Sequence, residues 1–199
     1  MNYKLYSDEL IKMKDNDLHV RNRLANSGEL FDGYNKEMEE LHIKNACRLD
    51  SIVAEIGWTS KDKVGEDARN AAMIIIQHAI SLPDFQKKYL GLIKEATDKG
   101  QEDKRNYAFL YDRICFYERR PQRFGTQYYW DENNELSPWI IEAPDNINKL
   151  RKEYGLNPIE EEIKATRSGI DFRGGIPKET YQDRSDKMLE WCTQTGWVK

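Results

Sequence analysis

The chain has 199 residues, of which 39% are hydrophobic and 33% are charged. That length suffices for one domain with its own hydrophobic core, without disulfides or a metal ion to support it. The 31 basic and 35 acidic residues leave a net charge of -4, which argues against nucleic acid as the default partner because phosphate binding requires a basic surface.

The cysteines and the N-terminus indicate the compartment. Cys47, Cys115 and Cys192 are far apart, odd in number and without a CxxC pattern, so neither a disulfide framework nor a zinc ribbon is expected. The first residues lack the apolar stretch of a signal peptide, and the longest apolar run, Ala71 to Ile76, is too short to span a membrane. We therefore expect a cytoplasmic protein with no membrane partner.

Apolar residues recur at helical spacing through the first part of the chain. Gly57 stands where a helix C-terminal cap is expected, and Pro121 stops the last of these helices. The periodicity predicts helices over residues 3–25, 34–56, 66–80, 83–98 and 103–119.

The helix predicted over residues 66–80 is apolar on nearly every side, which is typical of a helix in the centre of a fold. Gln77 and His78 are its polar exceptions, and buried polar groups cost free energy unless they form hydrogen bonds.

The last third of the chain has a mixed pattern. Residues 123–130 are aromatic and strand-like, Asn133-Asn134 indicates a turn, and residues 138–142 are predicted to pair back as a short hairpin. Short helices are predicted over 145–154, 158–167 and 179–193, with a loop from Gly169 to Pro177. The fold prediction is therefore a mostly α protein, a single multi-helix domain with one small β-hairpin. Residues 1–168 would form the domain, and residues 169–199 a C-terminal extension packed on it.

His78 is the only histidine set in an apolar helix, and imidazole titrates near neutrality, which suits general acid or base catalysis. The alternative is a core histidine that is satisfied by one or two hydrogen bonds. On spacing alone that alternative is the more frequent case.

Asp112 and Arg113 are adjacent on a predicted helix and therefore point about 100° apart, so each needs a partner on another element. Arg113 is a candidate for holding a carboxylate or phosphate through two hydrogen bonds, and Asp112 for orienting His78 or acting as a base. A structural ion pair is the alternative for both.

The stretch from Gln122 to Gln127 follows a proline and contains Gly125, which can adopt backbone conformations closed to other residues. Thr126 and Gln127 present a hydroxyl and an amide where a loop meets a strand, a common place for ligand contacts. The alternative is a simple turn. A small basic cluster beside it would attract an anionic ligand or form a solvated face: Arg119, Arg120 and Arg123.

Other chemistries find less support in the sequence. Gly174-Gly175 lacks the lysine and serine of a phosphate-binding loop, and Cys115 lies on an apolar helical pattern typical of packing. Metal binding by His42 and His78 with an acid requires that the fold join distant helices, so we expect no metal and no cofactor.

The order of these motifs resembles an uncharacterised bacterial family, catalogued as a domain of unknown function. In that family Gly-Trp precedes Gln-His-Ala, Phe-Gln, Asp-Arg, Gln-x-Tyr-Gly-Thr-Gln and Arg-x-x-x-Gly-Leu. The matching segments here, over roughly residues 5–165, are Asn45-x-x-Arg48-Leu49, Gly57-Trp58, Gln77-His78-Ala79, Phe85-Gln86, Asp112-Arg113, Gln122-Arg123-Phe124-Gly125-Thr126-Gln127 and Arg151 to Gly155-Leu156.

Two positions depart from the family pattern. Phe124 replaces a tyrosine and so offers no phenol, and His42 stands in place of an acidic residue, which alters the local charge. The resemblance transfers no activity. It implies that His78, Asp112, Arg113 and Gln127 converge on one shared site.

The sharper functional hypothesis is an enzyme that acts on a polar or anionic small molecule without a covalent intermediate, by hydrolysis, elimination, isomerisation or cyclisation. His78 would be the general acid or base, Asp112 would orient it or share its proton, and Arg113 would hold an anionic group. The other expected substrate contacts are Gln77, Gln122, Thr126, Gln127, Tyr107 and Trp58.

Two other hypotheses remain open. In a non-enzymatic module that binds a ligand or protein, the same polar cluster would be a structural network, and a protein partner or homo-oligomer is possible. A metal-dependent hydrolase would require His78 and two acids within ligand reach of one another.

Overall fold

The structure is a computed structural model that describes residues 3–31, 33–169 and 175–199. These residues are mostly helical with one two-stranded hairpin, which confirms the predicted fold class. The chain divides into two compact units, Met1–Asp103 and Lys104–Lys199, here named unit 1 and unit 2. The proposed boundary at residue 168 lies inside unit 2 and stays a prediction.

Unit 1 is built from helices, with a 3-10 turn at Glu29–Phe31. Their bounds agree with the predicted helices to within a few residues, but the short α3 was not predicted because four residues show no periodicity. The helices are α1 (Tyr3–Ser27), α2 (Lys36–Ile56), α3 (Lys61–Val64), α4 (Glu66–His78) and α5 (Pro83–Asp98).

Helix α4 is the centre of unit 1, as its apolar sequence predicts. It packs against each of the other four helices of the unit. Three of its six buried side chains are alanines, which lets neighbouring helices approach closely. Its charged first turn, with Glu66 and Asp67, is exposed.

Unit 2 begins with a long helix and continues with the hairpin and short helices. In the hairpin Tyr129 lies opposite Ser137, and the Asp131 carboxylate accepts hydrogen bonds from the backbone of Asn133 and Glu135 in the turn. The elements are α6 (Lys104–Tyr117), β1 (Tyr128–Trp130), β2 (Leu136–Pro138), α7 (Ile147–Glu153), α8 (Ile159–Ser168) and α9 (Tyr181–Gln194).

The second strand starts two residues before its predicted position, because the Asp131 turn fixes the register. The segment predicted as that strand instead pairs with Gln122, whose backbone N–H donates to Ile140 and whose carbonyl accepts from Glu142. This pairing holds the loop that follows Gln122 in place.

The C-terminal helix α9 starts with a capping box, in which Thr180 and Asp183 satisfy each other's backbone N–H groups. Trp191 and Trp197 pack on the Tyr117 ring of α6 with centroid distances of 5.4 and 5.5 Å. Residues 170–174 of the predicted Gly169–Pro177 loop lie outside the described residues.

None of the described helices has both the length and the apolar character needed to cross a membrane.

Candidate functional site

Three helices of unit 1 bring together one carboxylate and two imidazoles. Asp17 comes from α1, His42 from α2 and His78 from the last position of α4. Each offers one possible metal-ligating atom, and these atoms all lie within 4.8 Å of one another. We call these three residues the Asp-His-His cluster.

Asp17 is the buried anion of the cluster, with no exposed surface. His78 Nδ1 lies 3.0 Å from both carboxylate oxygens, and His42 Nε2 lies 2.9 Å from Oδ2. Burial alone would raise the pKa of Asp17, but its contacts with His42 and His78 outweigh that effect and hold the pKa below its usual range. The carboxylate therefore stays ionised between the two rings.

His42 is buried, with 7% of its surface exposed. Its Nδ1 lies 2.6 Å from the Tyr34 hydroxyl, and the two rings stack at a centroid distance of 5.8 Å. Its Nε2 lies 2.9 Å from Asp17 Oδ2, but the geometry of this contact is too poor for a hydrogen bond. The contact is therefore electrostatic in character.

His78 is the member of the cluster that reaches solvent, because 28% of its side chain is exposed. The last turn of α4 is fixed by the buried Gln86 of α5, whose amide donates to the carbonyls of Ile76 and Gln77 at 2.8 and 3.2 Å. The ring of His78 is thus anchored at Nδ1 by Asp17 and open to solvent on another side.

Sequence reasoning singled out His78 but missed Asp17 and Tyr34. A signal for Asp17 was present, since Leu10, Asp17 and Leu24 follow one another at intervals of seven residues and are all buried. A carboxylate on the apolar face of a helix indicates a buried partner. Distant helices meet at His42 and His78, as metal binding by these two histidines and an acid requires, but the cluster contains one acid, Asp17, and not the two that the metal-dependent hydrolase would need.

In unit 2 the Asp112 carboxylate holds the loop between Gln122 and Gln127. It accepts from the backbone N–H groups of Arg123, Phe124 and Thr126 at 2.8 to 3.1 Å, and from the Thr126 hydroxyl at 3.0 Å. Burial raises the pKa of Asp112 in spite of these donors. With so many donors, both oxygens of Asp112 are occupied by the loop.

Two more buried side chains form hydrogen bonds with the backbone of the same loop. Arg151 donates to the carbonyls of Phe124 and Gly125 at 2.6 and 3.2 Å. Gln122 donates to the carbonyls of Gln127 and Trp139 at 2.9 Å, and it accepts from the Gln127 backbone at 2.9 Å. These contacts give Gln122 and Thr126 structural partners within unit 2.

The other predicted site residues are divided between the units. Trp58 and Gln77 belong to unit 1 with His78, whereas Arg113 and Tyr107 lie on α6 in unit 2. Tyr107 contacts the rings of Phe124 and Tyr154 at centroid distances of 6.3 and 6.1 Å. Convergence of the whole predicted set on one site stays a prediction.

Comparison with known proteins gives a family but no activity. A family model described as a family of unknown function (DUF6624) matches residues 5–172. No curated protein and no solved structure matches the chain. The family match spans most of the sequence and confirms the predicted membership in a domain family of unknown function. The chain thus belongs to the DUF6624 family.

Proposed function

We propose that the Asp-His-His cluster is the active site of an enzyme that acts on a polar or anionic small molecule. The reaction class is non-covalent acid/base chemistry: hydrolysis, elimination, isomerisation or cyclisation. One observation carries this proposal. The His78 imidazole is held at Nδ1 by a fully buried carboxylate while part of its ring stays open to solvent.

A carboxylate beside one ring nitrogen fixes the tautomer and the orientation of an imidazole, and it stabilises the imidazolium that forms when the other nitrogen takes a proton. Asp17 is suitably placed for that role at 3.0 Å. The sequence analysis gave the role to Asp112, whose oxygens are engaged by the 122–127 loop. The proposal therefore pairs His78 with Asp17, and it keeps Gln77 and Trp58 as candidate substrate contacts in the same unit.

The test compares wild-type protein with His78→Gln and His78→Ala in a melting-shift screen against a metabolite library, followed by turnover assays on the compounds that bind. His19→Gln is the matched control, because His19 lies exposed on α1, the helix that carries Asp17. We expect wild type and His19→Gln to show the same ligand-induced shift and turnover. Both His78 variants should fold, keep little or no shift, and lose turnover.

Two results would contradict the proposal: no compound that binds the wild type is turned over, or the His78 variants turn it over at the wild-type rate. A large loss of melting temperature in both His78 variants, with no ligand for wild type, would make the histidine structural.

A second candidate is a non-enzymatic binding module, and the network around Asp112 supports it for unit 2. Its carboxylate has donors from three backbone N–H groups and one hydroxyl, as expected of a structural anchor. Asp112→Asn distinguishes the two roles. If Asp112 is a structural anchor, the Asp112→Asn variant should have a lower melting temperature and an unchanged ligand-induced shift. If Asp112 is a catalytic carboxylate, the variant should fold normally and lose turnover.

The three cysteines are free thiols, and this supports the cytoplasm as the proposed compartment. We keep a small molecule as the proposed ligand.

A further inference from the structure

We propose that Asp17, His42 and His78 bind one divalent transition-metal ion through a carboxylate oxygen and two imidazole nitrogens. This inference extends the proposed function. Only its statement about the reaction rests on that function, because metal binding itself is measured without a substrate. It departs from the expectation, drawn from the sequence, that the protein holds no metal.

The donor set fits this class of ion. Two imidazoles with one carboxylate suit zinc and other first-row divalent metals, whereas calcium and magnesium prefer oxygen ligands throughout. Catalytic zinc sites use three protein ligands and leave a further position for water or substrate. The cluster supplies three such ligands, and the partly exposed His78 marks the side on which the fourth position lies.

The spacing of the ligand atoms fits as well. Zinc bonds of about 2.0–2.2 Å place two ligand atoms about 3.3–3.5 Å apart in a tetrahedron. The Asp17 carboxylate lies 3.0 Å from His78 Nδ1 and 2.9 Å from His42 Nε2, and the widest separation is no more than 4.8 Å. To hold an ion, the carboxylate oxygen would move about 0.5 Å away from each nitrogen, and two ligand atoms as far apart as 4.8 Å would approach each other by about 1.4 Å.

His42 provides the second, independent observation. Its Nε2 is buried and lacks a well-directed hydrogen bond, even though an anionic oxygen lies 2.9 Å away. A buried polar atom with no aligned partner is unusual in a folded protein. A metal ion between the carboxylate and the ring would take the lone pair of this nitrogen.

Tyr34 is placed to support the metal-binding tautomer of His42. Its hydroxyl oxygen lies 2.6 Å from His42 Nδ1, and the hydroxyl reaches the carbonyl oxygen of His78 at 3.4 Å. If the hydroxyl donates to that carbonyl, its oxygen accepts the proton of His42 Nδ1. Nε2 is then unprotonated and directs its lone pair at the centre of the cluster.

Metal binding changes which group transfers the proton in the proposed reaction. Both imidazoles would become ligands through unprotonated nitrogens, so the proton that His78 Nδ1 holds toward Asp17 would leave to solvent. A water in the open position would then supply the acid/base group, since zinc lowers the pKa of a bound water to about 7.

The test is a titration of the full chain, stripped with a chelator and free of any histidine tag, with zinc alone in an isothermal calorimeter. The variants are His42→Gln, His78→Gln and Asp17→Asn, and His19→Gln is the control. Wild type and His19→Gln should bind one zinc ion per chain and melt at a higher temperature with zinc. His42→Gln and His78→Gln should each bind about a hundredfold more weakly or not at all.

The proposal is overturned if wild type binds no stoichiometric zinc, or if both histidine variants bind it as tightly as wild type. Because zinc stands high in the affinity series of divalent metals, failure with zinc also excludes more weakly bound ions such as manganese or iron. If Asp17→Asn does not fold, as judged by circular dichroism, the two histidine variants decide the outcome.

The same proteins separate this inference from the proposed function. Stoichiometric zinc with no turnover in the metabolite screen would leave the metal site standing and contradict the enzyme. Turnover that depends on His78 in zinc-free protein would support the imidazole as the acid/base group and contradict that role for a metal-bound water, while the zinc titration alone decides whether the metal binds.

Discussion

Asp17 is the fully buried anion of the Asp-His-His cluster. A fully buried carboxylate is stable as an anion only when cations or strong donors surround it. Here His78 Nδ1 forms hydrogen bonds with Asp17, and His42 Nε2 lies 2.9 Å from it in an electrostatic contact. The geometry of the cluster therefore depends on the charge of Asp17 as well as on its shape.

Asp17→Asn keeps the shape and removes the charge, so we expect it to lower the free energy of unfolding by about 2–4 kcal/mol. Asp15→Asn is the matched control, because Asp15 lies on the same helix with 61% of its side chain exposed and pairs with Lys14 at 3.0 Å. That control should change stability by no more than about 0.5 kcal/mol. Equal stability of the two variants in a denaturant titration would show that the cluster does not depend on the charge.

The three cysteine thiols differ in their expected reactivity. Cys47 is exposed, whereas Cys115 and Cys192 are buried, and burial raises the pKa of each of these two to about 11. At about pH 8 their thiolate fraction is therefore very small, and reagent has no access to them.

We expect iodoacetamide to modify the native protein once, at Cys47, and three times after unfolding. Mass spectrometry of the intact protein gives the count, and peptide mapping gives the site. Modification of Cys115 or Cys192 in native protein would contradict the packing of α6 or α9.

Among single residues, His78 was predictable and Asp17 was not singled out. The imidazole of His78 is easily noticed in the sequence, because the stretch from Ala71 to Ile76 just before Gln77 and His78 is entirely apolar. Asp17 is one of many charged residues in α1, and its partners are 25 and 61 positions away along the chain. The seven-residue spacing of Leu10, Asp17 and Leu24 places the carboxylate on the buried face of α1, but only the packing of α1 against α2 and α4 shows its partners.

At the scale of elements, the loop between α6 and β1 is held by side chains from α6 and α7. Gly125 lies within it at φ +68°, a conformation that favours glycine. A Cβ atom there would lie 2.7 Å from Cδ1 of the buried Ile159 and 3.6 Å from Nη1 of Arg151. The positive φ therefore favours glycine, and a Cβ atom would force the end of the Ile159 side chain to shift.

Gly125→Ala should lower the free energy of unfolding by about 2–4 kcal/mol, from backbone strain and a steric clash together. Gly155→Ala is the control for strain alone, because Gly155 has φ +71° and its nearest neighbour, Arg105, would lie 3.9 Å away. The control should cost about 1–2 kcal/mol. If denaturant titrations show the same loss of unfolding free energy for Gly125→Ala and Gly155→Ala, the loop has room for a side chain.

Periodicity predicted the long helices well and the short elements less well. Residues 83–98 were predicted as a helix with the bounds that α5 has. The hairpin was predicted with its second strand too late, because its register depends on the Asp131 side chain rather than on apolar alternation. Hydrogen bonds from side chains to backbone leave a weaker pattern in sequence than burial does.

At the scale of the whole molecule, the C-terminal segment contributes to the core of unit 2. Cys192 and Trp197 are buried, and the Trp197 ring stacks on Tyr117 with an interplanar angle of 27°. Aromatic contacts of this kind bury large apolar areas. The segment is therefore part of the packing of that unit, although its sequence lies mostly beyond the family match.

Deletion of residues 169–199 should lower the stability of the protein by about 3 kcal/mol or more, because Tyr117 loses its cover. Calorimetry of the full chain and of residues 1–168 measures the change. If residues 1–168 melt at the same temperature as the full chain, the extension is not needed for the fold.

The central claim is that the chemistry of this protein takes place at the Asp-His-His cluster. The chain has three histidines, and only His42 and His78 belong to the cluster, so the imidazole nitrogens give a direct measurement. We would record their NMR signals, assigned with the three single histidine variants, before and after adding zinc or a compound found in the metabolite screen. We expect the signals of His42 and His78 to shift while those of His19 stay in place. Binding that leaves the His42 and His78 signals unchanged would contradict it.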